Sequence, residues 1–176
     1  MTRQNLLRFA SKSQRQLFEY WDQICRNREM PTRRDLDPRQ IVKLLPGICM
    51  YDVIREKKPG SSDLLFRARL VGTNIVNMVG KDFTGSIMEE APVSPFCGLT
   101  GSSRTLARVA REGKSYFNSC FLDWPEEHYR HYSFLAMPLK LDETSDQVDI
   151  ILLGVQFFNY REEYDYLEHD LLPCQA

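Results

Sequence analysis

FRARLVGTNIVNMVGKDFTG, residues 66–85, is the stretch on which the fold of this chain turns. Phe66, Ala68 and Leu70 alternate with Arg67 and Arg69, the period-two pattern of a strand with one wet face. The alternation stops at Gly72, where the chain can leave the strand sharply; Thr73 then supplies a cap, and Ile75 and Val79 fall one helical turn apart. Gly80 can end that short helix in the left-handed conformation, and Gly85 permits a return toward the next element. A strand, a short helix and a glycine-bounded loop thus follow one another within this segment.

Upstream, ICMYDVI from Ile48 reads as a second strand, joined to LLFRARLV through the polar turn Lys57-Lys58-Pro59-Gly60-Ser61-Ser62. Before it, Asp37 as cap and Pro38 at the first helical position announce a short helix that carries Ile41, Leu44 and Leu45 and stops at Pro46-Gly47. Earlier still, Ser13 with Gln16 fits a capping box, and Leu17, Trp21, Ile24 and Cys25 share one face, which predicts an amphipathic helix over residues 11–27. Downstream, Leu106, Val109 and Ala110 predict a longer helix over residues 99–112 that also uses Leu99 and ends at Gly113. Three apolar segments follow, YFNSCFLDW, HYSFLAMPL and DIILLGVQFFN, joined through Pro125-Glu126-Glu127 and the acidic turn DETSDQ, as an antiparallel meander would be.

The organisation expected is α+β and one domain overall: an N-terminal helical extension over residues 1–46, a core over 47–160 and an acidic tail over 161–176. At 176 residues, with 43% hydrophobic and 27% charged residues, the chain is long enough for a real core and too apolar for disorder. The net charge of −1 hides opposed ends, since residues 1–43 carry ten Lys/Arg against five Asp/Glu and residues 142–176 carry one against nine. No basic face interleaved with aromatics dominates, which argues against nucleic acid. No apolar run reaches membrane-span length and the start lacks a secretion signal, so a cytoplasmic protein is expected. Five scattered cysteines without a CxxC pair read as reduced thiols.

The element order, two strands, a helical middle and three strands, resembles the PAS fold, a five-stranded antiparallel sheet with helices on one face. Residues 66–85 resemble the PAS element in which a strand enters a Gly-Thr turn, a short helix and a Gly-x-x-x-x-Gly loop. The prefix YWDQICRNREMPTRRDLDPRQIVKLLPGICMYDV resembles the start of a bacterial subgroup of stand-alone PAS-like proteins, with its Trp-bearing helix, Pro-x-Arg and Asp-x-Asp-Pro segment and Leu-Pro strand start. HYSFLAMPL has a counterpart there that ends in Pro-Leu. The resemblance spans residues 17–158 and implies a sensory or protein-interaction module, sometimes holding haem, flavin or a small metabolite between sheet and helices and often dimeric through an N-terminal helix. It transfers no catalytic residue.

Nothing matches the Asn-Cys-Arg-Phe-Leu-Gln segment of the flavin photosensors of that fold, and the helix at residues 99–112 has no histidine to ligate haem, so neither covalent flavin nor helix-ligated haem is supported. The identity of any cofactor is left open. Asn74, Met78, Leu99, Leu106, Phe117, Phe134 and Phe157 are the candidate lining of a pocket between sheet and helices, though the same residues would serve a filled core. Leu17, Trp21 and Ile24 are candidates for a dimer face, packing on a mate or on the sheet. His128 and His131, beside Glu126 and Glu127, are weak metal candidates that a charged turn explains equally well. Arg104, Arg108 and Arg111 form a cationic helix face, ordinarily a solvated one. Arg67 and Arg69 share a side of their strand: outside, they are partner contacts; inside, they need a buried anion.

No nucleophile elbow, phosphate loop or His-Glu-x-x-His motif is present, and catalysis is not expected. The function expected is a stand-alone sensory or signalling module that binds a small ligand, a protein partner or both, and forms a homodimer. The alternatives are a ligand-free interaction scaffold and a small enzyme or metal protein using His128 and His131.

Overall fold

The N-terminal helix, α1 (Lys12–Cys25), begins where Ser11 accepts a hydrogen bond from the Gln14 backbone and Gln14 reciprocates on the Ser11 N–H. The capping box is therefore Ser11 with Gln14, not Ser13 with Gln16. Both pairs fit the template, but only the first turns Gln14 onto the buried face beside Leu17 and Trp21. Three short 3-10 turns follow, Arg33–Asp35, Pro38–Ile41 and Leu45–Gly47, the second capped by Asp37 as the sequence predicts. The chain then enters β1 (Ile48–Arg55), β2 (Leu64–Val71), α2 (Thr73–Val79), β3 (Ile87–Glu89), α3 (Ser103–Glu112), β4 (Tyr116–Leu122), β5 (Arg130–Leu139) and β6 (Ile150–Phe158). This computed structural model describes residues 10–55, 64–89, 103–122 and 130–158. The turn at 57–62, Leu99, His128 and the acidic tail from 161 lie outside them.

All strand pairs are antiparallel and form a single sheet in the order β3-β2-β1-β6-β5-β4, a PAS-like arrangement in which the first hairpin and the final meander meet along β1 and β6. Among the described residues the sheet has six strands, not five. The extra one, β3, is only three residues long and pairs Phe66 with Met88, too short for alternation to announce it.

Helices cover both faces, which departs from the one-sided expectation. Residues of β5 from 132 to 139 and of β6 from 150 to 155 are buried without interruption. On one face, Asn118 Nδ2 donates to Thr105 Oγ1 of α3, and Asn118 pairs with Phe134, so α3 lies over Phe134, Ala136 and Leu153. On the other, α1 lies over Ser133, Leu135 and Gly154. The helical extension thus supplies the second layer.

Among the described residues, two glycines are required by close approach. A Cβ on Gly72 would stand 2.3 Å from the Pro46 carbonyl oxygen, so this glycine serves the contact between the β2–α2 corner and the preceding 3-10 turn. Its φ of −68° shows that no left-handed conformation is needed there. A Cβ on Gly154 would stand 2.9 Å from Leu17 Cδ2 of α1. Gly80 and Gly85 do take left-handed conformations, as the sequence predicts.

Candidate functional site

The segment between α1 and β1 has a structural explanation that accounts for its unusual spacing of Pro, Arg and Asp. Asp35 accepts hydrogen bonds from Thr32 N, Thr32 Oγ1 and Arg28. Burial alone would raise the Asp35 carboxyl, but the Thr32 and Arg28 contacts outweigh it and hold it below the ordinary carboxylate range. Arg28 also pairs with Glu143. Asp37 caps its turn, and the Tyr20 hydroxyl bridges the Asp37 N–H and carbonyl. Trp21 Nε1 donates to the Pro138 carbonyl at 2.9 Å, so the tryptophan of the prefix meets the Pro-Leu end of β5.

Leu17, Trp21 and Ile24 are buried within the chain, packed toward its own sheet. Of the two arrangements expected for them, packing on a mate or on the sheet, the structure shows the second: these side chains form part of the chain's own core. In their midst Gln14, only 1% exposed, donates to Ser133 Oγ and to the Gly154 carbonyl while its Oε1 holds the Ser11 N–H. One neutral amide therefore both caps α1 and pins it to β5 and β6.

Beside Gln14 lies a cavity of about 310 Å³. Its origin is a mismatch of strand ends. The β1–β6 pairing begins at Ile48 opposite Gly154, whereas β6 continues to Phe158, so β6 from Val155 onward has no β1 partner. The space beside it is bounded by Lys43, Leu44 and Gly47, by Asn74, Ile75, Asn77 and Met78 of α2, and by Ser13, Gln14 and Leu17 of α1. Ile48, Gly154, Val155, Gln156 and Phe157 complete the wall. Among the described residues that line it, Lys43 is the one ionisable side chain.

Of the pocket residues expected from sequence, Asn74, Met78 and Phe157 come together on this cavity. Leu106 and Phe134 do not; both are fully buried in the core between α3 and the sheet. Phe117 is partly buried on β4, on the face opposite Asn118, and Leu99 lies outside the described residues. The cavity is thus at the seam between α1 and the rest of the domain. Lys43, Gln14, Ile48 and Gln156 were not foreseen, because only the relative register of β1 and β6 assembles them.

The remaining candidates are surface or core features. Arg67 and Arg69 face outward and converge on Asp52, whose side chain is 12% exposed, so an internal carboxylate answers both. Arg104, Arg108 and Arg111 are exposed; Arg108 pairs with Glu112 and lies 4.3 Å over the Tyr116 ring. Burial pushes the Cys49 thiol up to about 12, which keeps it protonated and unreactive. His128 is outside the described residues, as is the side chain of His131; among the described residues no three His, Cys, Asp or Glu side chains cluster as metal ligands would. No helix among them is long and apolar enough to cross a membrane.

Residues 9–91, a little under half of the chain, match the family model described as PAS domain. One matching solved structure is that of the PAS domain from Bordetella pertussis BvgS, at 16% identity and a TM-score of 0.42, covering 73% of this chain and 92% of that one. No curated protein matches at a significant level. The matched segment takes in α1, β1, β2, α2 and β3, of which α1, β1 and α2 border the cavity.

Proposed function

We propose that this chain, PAS-type in sequence over residues 9–91, is a sensory module that turns occupancy by a small ligand into a change in how α1 sits on the sheet, without catalysis of its own. PAS domains are a family of sensory and signalling modules, and that much follows from the sequence match. The observation that carries the finer reading is Gln14, whose single side chain closes the helix cap, bonds the sheet at Ser133 and Gly154, and borders the cavity. A ligand touching that wall bears on cap and dock together. Output passes to a protein partner or to a second copy, in the cytoplasm of a bacterial cell, and the receiving surface is the exposed side of α1 or the open part of the sheet face it shares with Asp52.

Native mass spectrometry of gently purified protein, paired with hydrogen exchange over residues 12–25, tests this reading. A retained small molecule is expected, with slower exchange of α1 than in protein stripped by unfolding and refolding. Identical masses and identical exchange before and after stripping would instead favour a ligand-free interaction scaffold. That second reading draws support from the filled space under α3, where Phe66, Leu106 and Phe134 have no exposed surface.

A further inference from the structure

From the chemistry of the seam cavity we infer that it binds a small carboxylate with an apolar body, the carboxylate at Lys43 and the apolar part against Met78 and Phe157. The volume, about 310 Å³, lies at the lower end of the range for small-molecule sites and selects a compact ligand. Among the described residues the wall carries one cation and no carboxylate. Lys43, Asn74 and Asn77 have no side-chain hydrogen bond or ion pair among the described residues, so a ligand anion has donors available without displacing an internal partner. Asn77 and Met78 lie one helical turn beyond Asn74 on α2, and the three present amide and thioether groups to the same space. Lys43, Asn74 and Asn77 are exposed at the cavity's edge, so a cationic ligand would meet like charge at Lys43 and a neutral one would gain no charge-assisted bond there.

This site lies outside the space between α3 and the sheet, which Leu106 and Phe134 fill. Only the consequence for α1 rests on the sensory reading: Gln14 and Leu17 form one side of the cavity, so an occupied cavity holds α1 and a vacant one leaves it held by its own contacts alone. Binding affinity and α1 exchange are therefore separable observables.

The test uses the full chain with benzoate, and with benzamide and benzylamine as neutral and cationic shape controls. Heteronuclear NMR of methyl-labelled methionine follows Met78. Benzoate should shift the Met78 methyl saturably, and benzamide should bind at least about tenfold more weakly, the loss expected for one charge-assisted hydrogen bond. Lys43→Met should erase that preference, and Asn74→Trp, at an exposed position, should abolish binding while the melting temperature stays near the parent's. Equal binding of benzoate and benzamide, or undiminished binding to Asn74→Trp, overturns the site. Should benzoate bind as expected yet leave hydrogen exchange over residues 12–25 unchanged, the site stands and the sensory reading falls. A molecule retained from purification that Asn74→Trp does not release leaves the sensory reading standing and removes this cavity as its site.

Discussion

Two polar clusters lie on the same face of the sheet and are built on opposite principles. At β5 and β6 the cluster is neutral and covered: Gln14, Ser133 and the Gly154 carbonyl, under α1. At β1 and β2 it is charged and opens to water through its cations: the buried Asp52 lies between Arg67 and Arg69, whose side chains are 52% and 41% exposed. The open cluster counts more formal interactions, but water competes for each of them and salt screens the rest. The covered one has few, yet a buried donor or acceptor left unmatched costs nearly its full desolvation penalty. Position under a helix, and not charge, therefore decides which cluster fixes the architecture.

The contrast can be broken most directly at its covered end. Gln14→Ala strands the Gly154 carbonyl and Ser133 hydroxyl and opens one half of the capping box, and should cost about 2–3 kcal/mol in chemical denaturation. A loss below about 0.5 kcal/mol would show that α1 is held by its apolar face alone. Between the extremes sits the half-covered Arg28–Asp35–Thr32 group. Its carboxyl is depressed in the folded state, so its stabilisation is fully present above the unfolded value of about 3.9 and fades as pH falls through the lower folded value. An Asp35→Asn variant should show a flatter stability profile than the parent below about pH 4, measured by denaturant midpoints across pH. Least affected is the open cluster: Asp52→Asn should cost less than about 1 kcal/mol and the difference should shrink further in high salt. A larger, salt-insensitive loss would place Asp52 in the covered class.

Local chemistry was legible in the sequence where one or two adjacent residues settle a conformation. Gly80, Gly85 and the Asp37-Pro38 pair act at their own positions, and each is found as read. The two-sided burial was present as a signal in the uninterrupted apolar runs FLAM of β5 and IILL of β6, since a strand covered on both faces has no reason to alternate. Assigning α1 to the second face required knowing that Gly154 admits Leu17, and a lone glycine within a strand does not name its neighbour. The choice between Ser11 and Ser13 as cap likewise hung on where Gln14 would find partners, 119 and 140 residues away in sequence. The cavity is the extreme case: Asn74, Met78 and Phe157 could be proposed from their types, but Lys43 and Gln156 belong to it only because β6 outruns β1.

The bond from Trp21 to the Pro138 carbonyl links α1 to β5, 117 positions on. During synthesis α1 leaves the ribosome long before β5 and β6 exist, and at translation speeds of about 5–20 residues per second its apolar stripe waits on the order of ten seconds for a surface to cover it. Docking of α1 on the sheet is therefore a late event that joins segments made far apart in time, and the nascent helix is a natural client for chaperone shielding in the interval.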